Sequence, residues 1–119
     1  MSKERNIFEK REVFKPFEYP EVEPFIKAIQ STYWIHDEVE AELAEDVQDY
    51  HNNLTDVDRY IISTILRTFA DTETKVLDDC WSIIGKYFPK PEFQGLAMTF
   101  AENEFRHANG YFRINELLD

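Results

Sequence analysis

An all-α half-bundle is the fold the sequence predicts, with two long antiparallel helices preceded by shorter ones. Three observations lead to it. Glycine is scarce, at three in 119 residues, while hydrophobic residues make up 43% and charged residues 31%; that mix suits a helical globular chain better than a β-sandwich or a disordered one. In two long segments apolar residues recur at steps of three and four, the period of one helix face. Between those segments the short stretch "PKPEFQG" (89–95) reads as a turn or the first turn of the next helix, and long helices with a short connection pack antiparallel.

Residues 1–20 are charged and aromatic, with Pro16 and Pro20 as breakers, and read as an arm with little regular structure. Residues 21–119 read as the half-bundle. "EVEPFIKAIQSTYW" (21–34) predicts a short helix with Phe25, Ile26 and Ile29 on one side. "DEVEAELAEDVQDYHNN" (37–53) is acidic and helical in part, ending at Asn52 and Asn53. Thr55 is a good N-cap, and Asp58 three residues on favours the positive end of a helix. From there no breaker occurs before Gly85 and Pro89, so one helix is expected over about 56–88, roughly 50 Å long at 1.5 Å per residue. The last helix is expected over about 92–117. No internal repeat or second domain is visible.

The formal net charge is −11. Nucleic acid would be repelled, and no basic stripe offsets this. A single cysteine, Cys80, excludes an internal disulfide and a cysteine-rich zinc site, and points to a reducing, cytoplasmic setting. The N-terminus has no apolar signal core, and no apolar run approaches the roughly 20 residues that span a bilayer.

Two helical rows carry the chemistry. The first is Ile62, Leu66, Phe69, Glu73, Val76, Cys80 and Ile84, in which Glu73 is the single charged member; Asp71 and Asp79 fall on other faces. The second is Leu96, Phe100, Glu104, His107, Tyr111, Ile114 and Leu118. A buried carboxylate without compensation costs several kcal/mol. Three ionisable groups on inward faces therefore call for one another or for a cation. Glu-x-x-His sets two ligands one turn apart, and a Glu on a neighbouring helix can reach the same point. That is half of a di-metal carboxylate site. Glu-x-x-His also arises as a hydrogen-bonded core pair or on a solvated face, Tyr111 as a core tyrosine, and Trp34 and Trp81 as packing residues. His36 and His51 fall near turns and read as surface residues.

At these residues the chain resembles the small, radical-generating subunit of class I ribonucleotide reductase, a ferritin-like di-metal carboxylate bundle, over about residues 20–119. "TFAENEFRHANGY" resembles the family's Glu-x-x-His followed four residues later by the radical tyrosine. "LTDVDRYIISTILRTFADTE" resembles the stretch leading to its first carboxylate ligand, and the 31-residue step from Glu73 to Glu104 matches the family's spacing. "YWIHDEVE" resembles the segment whose tryptophan passes electrons to the metals. Two departures stand beside these: His36 occupies a position where proline is common, and the step from Trp34 to Glu73 is longer than in many members.

The resemblance implies roles. Glu73, Glu104 and His107 would be metal ligands, with Glu104 bridging and His107 on the same metal as Glu73. Tyr111 would carry the radical, its ring among Phe100 and Ile114, and Trp34 would relay electrons. The cofactor would be two iron ions, or manganese, shared with ligands from a second chain. The expected partners are a C-terminal fragment of the small subunit carrying the second carboxylate and the second Glu-x-x-His, the large catalytic subunit, and a dimer of the reassembled small subunit; nucleic acid and membrane are not expected. The expected activity is reduction of ribonucleotides to deoxyribonucleotides by a split small subunit of which this is the N-terminal part. Two other readings stay open: a homodimeric ferritin-like oxidase or metal-storage protein, and a helical interaction module that binds no metal.

Overall fold

The computed structural model describes residues 4–119; Met1, Ser2 and Lys3 of the expected arm lie outside the described residues. All the regular structure among them is helical, as expected. A 3-10 turn, Pro20–Val22, leads into α1 (Glu23–Ser31), α2 (His36–Glu40), α3 (Ala44–Asn53) and α4 (Asp56–Val76). A π-helical turn, Leu77–Trp81, is followed by α5 (Ser82–Tyr87) and α6 (Pro91–Leu118). None of these helices is long and apolar enough to cross a membrane.

The start of α4 follows local chemistry. The Thr55 hydroxyl accepts from the Asp58 backbone N–H at 3.2 Å, and the Asp58 carboxylate accepts from the Thr55 N–H at 3.0 Å. This reciprocal capping satisfies donors that the first helical turn leaves unpaired. Its hydrogen bonds to the Thr55 side chain and backbone hold the Asp58 carboxyl below its ordinary range.

The single helix expected over 56–88 is corrected by the π-helical turn at Leu77–Trp81. One extra residue in a turn rotates everything beyond it relative to the α-helical period. Cys80, expected on the inward row, lies within this turn and is exposed. Phe69, on the same row before the turn, also keeps 48% of its surface exposed.

The chain divides into two compact units, one of residues up to Tyr33 with Val76–Asn103, the other Trp34–Lys75 with Glu104–Asp119. In the first unit aromatic rings tie the N-terminal segment to the start of α6: Tyr19 to Phe93 at 5.2 Å, and Phe8 to Phe88 and Phe88 to Phe93, both at 5.6 Å. Beneath them Glu92 is 2% exposed and Lys90 1%. The Glu92 carboxylate accepts from the Arg11 guanidinium and from the backbone N–H groups of Glu18 (3.0 Å) and Tyr19 (3.1 Å); Lys90 pairs with Glu18. Burial works against the Glu92 charge, yet the Arg11 hydrogen bond and the backbone amides outweigh it and hold the carboxyl at about 2.

A folded-state pKa below the ordinary 4.5 means that this stabilisation is present above that pH and is lost as pH falls toward about 2. Glu92→Ala is expected to cost about 3 kcal/mol, because it strands the groups that now meet the carboxylate. In chemical denaturation at neutral pH the variant midpoint should drop accordingly. Between pH 4.5 and 2 the gap from the parent should narrow; a constant gap would place the cost elsewhere.

In the second unit α3 and α4 meet at a corner held by Arg59, whose guanidinium donates to the carbonyls of Leu54 at 2.7 Å and of Tyr50 and His51, both at 3.3 Å. The Tyr50 hydroxyl returns a bond to the Arg59 carbonyl at 3.1 Å. Arg113 on α6 grips Glu40 of α2 with two bonds, at 2.7 and 3.0 Å. Within this unit Asn115 donates to the Ser63 carbonyl at 3.2 Å, and Tyr111 lies beside Phe69 with ring centroids 5.4 Å apart. Positions that rise along α4 meet positions that fall along α6, so these parts of the helices run antiparallel.

Candidate metal centre

The site grows from the facing stretches of α4 and α6 in the second unit. Residues three apart on a helix lie on one face, so Glu104 and His107 of α6 point the same way, with His107 Nδ1 3.2 Å from Glu104 Oε2. Glu73, near the end of α4, reaches the same place from the opposing helix, its Oε1 3.7 Å from His107 Nδ1. One ligand atom from each of Glu73, Glu104 and His107 falls within 4.8 Å of the others, the one such group among the described residues. All three side chains are half-buried, and Asp71 is exposed.

The electrostatics of this cluster suit a cation. Burial, together with the neighbouring Glu104 carboxylate, pushes the Glu73 carboxyl up to about 7. Two carboxylates in one partly desolvated space cannot both ionise without a counter-charge. A proton meets that need in the metal-free chain, and a metal ion meets it more fully. Carboxylate with imidazole is a donor set that suits iron or manganese.

Trp34 lies in the segment between α1 and α2. Its ring stacks on His107, with centroids 5.9 Å apart and planes 16° from parallel, and its carbonyl accepts from Arg106 Nη1 at 3.2 Å. Tyr111, one turn beyond His107, shares with Trp34, Val39, His107, Gly110 and Ile114 the lining of a small cavity of about 90 Å³. The expectation that Phe100 shelters Tyr111 is corrected. Eleven residues separate the two on α6, about 16 Å along the axis. Phe100 packs on Trp81 instead, with centroids 4.5 Å apart, and Phe69 is the ring beside Tyr111.

The sequence pattern did not single out Arg106, which is buried in spite of its charge, or Gly110. The one local signal for Gly110 was a glycine in the interior of a long helix, where it is disfavoured.

Residues 11–119 match the family described as "Ribonucleotide reductase, small chain". The protein named "Probable ribonucleoside-diphosphate reductase small subunit 376L" of Invertebrate iridescent virus 6 is 27% identical over 113 residues, which cover 95% of this chain and 31% of that protein. Its counterpart 048L of Invertebrate iridescent virus 3 is 27% identical over 109 residues, covering 92% and 28%. The ribonucleoside-diphosphate reductase small chain of Schizosaccharomyces pombe is 35% identical over 63 residues, covering 53% and 16%. The chain thus spans less than a third of the length of each of these relatives. With a match that takes in nearly all of its residues, the chain belongs to the ribonucleotide reductase small chain family.

Proposed function

We propose that this chain supplies the N-terminal part of a di-metal site and the radical tyrosine of a ribonucleotide reductase small subunit. The observation that carries this reading is the convergence of Glu73, Glu104 and His107 within 4.8 Å in a chain that matches the family over residues 11–119. Glu73, Glu104 and His107 would hold the metals, together with further ligands from the C-terminal portion of the small subunit. Bound redox-active iron or manganese would supply oxygen activation and the oxidising equivalent.

The chain's own residues do the rest. Glu73 gives up the proton that its raised pKa otherwise retains, and with Glu104 offers negative charge to the metals. His107, its ring plane set by Trp34, presents Nδ1 toward both carboxylates. Tyr111 loses one electron and its phenolic proton and holds the radical, while Phe69 and Ile114 limit access of water to the ring. The stored oxidising equivalent then serves the large catalytic subunit in reducing ribonucleotides to deoxyribonucleotides. The small subunit works as a cytoplasmic dimer, and Trp34 relays electrons to the metals.

Intact mass and metal analysis of the purified complex test this. A metal pair that appears only when the further carboxylate and histidine ligands of the small subunit are present is the expected result. A tightly bound metal pair in this chain alone, as a monomer or a homodimer, would replace the reading with that of an oxidase or storage protein.

A further inference from the structure

We propose that Gly110 is a positioning residue: its missing side chain lets Trp34 lie flat against His107 and so sets the direction in which the imidazole faces the two carboxylates. Gly110 is buried within α6, where glycine is the least favourable residue apart from proline. Its backbone does not need glycine's conformational freedom, because no glycine among the described residues has a positive φ. Space is what the position needs. A Cβ at Gly110 would stand 3.0 Å from Trp34 Cη2 and 3.3 Å from Cζ3, closer than carbon atoms pack at rest.

Gly110 and His107 are three residues apart and share a face of α6. The indole therefore covers both, lying over the bare backbone of one and parallel to the ring of the other, 5.9 Å away. Arg106, itself buried, fixes the other end of the same residue through the Trp34 carbonyl at 3.2 Å. Trp34 sits outside any helix, so these contacts, rather than a helical backbone, define its place.

A ligand histidine must be turned correctly as well as present, and partners outside the ligand set commonly do the turning. Here the partner is an aromatic face, and Gly110 is what admits it. A methyl group at position 110 would make the indole give by a few tenths of an ångström, and the small cavity that Trp34 lines with Val39 and Tyr111 leaves room beside the ring. The stacking follows from the metal-free geometry alone; its consequence for metal binding rests on the reading of His107 as a ligand.

The test begins with the metal-free chain carrying Trp81→Phe, so that Trp34 is the one indole. At a fixed alkaline pH, Gly110→Ala should move the His107 ring-proton resonances downfield as shielding by the indole weakens, and should alter the Trp34 emission. Trp34→Leu should move the same His107 resonances, and Gly110→Ala added to Trp34→Leu should do nothing more. Unmoved His107 resonances in Gly110→Ala, or effects that simply add, would overturn the proposal. If Gly110→Ala alone fails to fold, recovery of folding with Trp34→Leu supports it, and no recovery overturns it.

Cobalt(II) titration of the complete subunit then tests the consequence. Gly110→Ala should weaken binding by about 10-fold, the scale for loss of a residue that orients a ligand. If Glu104→Ala abolishes cobalt binding and Gly110→Ala leaves it unchanged, the positioning role is wrong. If Glu104→Ala also leaves cobalt binding intact, the metal reading itself is what fails.

Discussion

Glu104→Ala and His107→Ala are each expected to abolish metal loading of the complete subunit, whereas Asp71→Ala leaves it at the parental level. The contrast tests geometry rather than charge. All three positions are polar and all lie on the two long helices. Glu104 and His107 meet Glu73 within 4.8 Å, while Asp71, two residues from Glu73, is turned outward. Removing an outer partner of a metal site typically costs about 10–100-fold in affinity, so removing a ligand should cost more. Glu104→Ala also takes away the neighbour that, after burial, raises the Glu73 pKa, so the metal-free variant should fold at least as well as the parent. Metal content by elemental analysis, read beside the thermal midpoint of the metal-free form, separates lost coordination from lost folding. Equal metal loss in Asp71→Ala would mean that overall negative charge, and not this cluster, draws the metal.

Tyr111→Phe is expected to abolish the tyrosyl signal in electron paramagnetic resonance, and with it nucleotide reduction by the holoenzyme, while metal content stays at the parental level. The change removes one oxygen atom and little volume, so packing is conserved. The ring keeps its neighbour Phe69, 5.4 Å away, and its place in the small cavity beside His107. What would be lost is the O–H bond whose hydrogen the proposed oxidising step removes, since phenylalanine has no group of comparable ease of oxidation. An undiminished tyrosyl signal in the variant would move the radical to another tyrosine. Full activity with no tyrosyl signal in the parent would point to an oxidant held at the metals and would end the role given to Tyr111.

The helices and part of the cluster were legible in the residues themselves, because both rest on interactions within one turn. The start of α4 follows from Thr55 and Asp58, which bond to each other three residues apart. The shared direction of Glu104 and His107 follows from the geometry of any α-helix. Periodicity over some twenty residues on each side was enough to call two long antiparallel helices, and the second unit shows the antiparallel pairing directly in Ser63 with Asn115 and Phe69 with Tyr111.

Tertiary structure decided what depends on distance through space. The 31-residue step from Glu73 to Glu104 does not by itself bring the two side chains together; the antiparallel register of the two helices does. The π-helical turn at Leu77–Trp81 has no sequence signature of its own, and it changes the register of the row beyond it. Phe100 lies on the same helical row as Tyr111, but a shared face does not bring residues three turns apart into contact. Trp34 stands in a segment with no period to orient it. Its place on His107 is set by Arg106 and by the space that Gly110 leaves, and both of those act across the fold rather than along the chain.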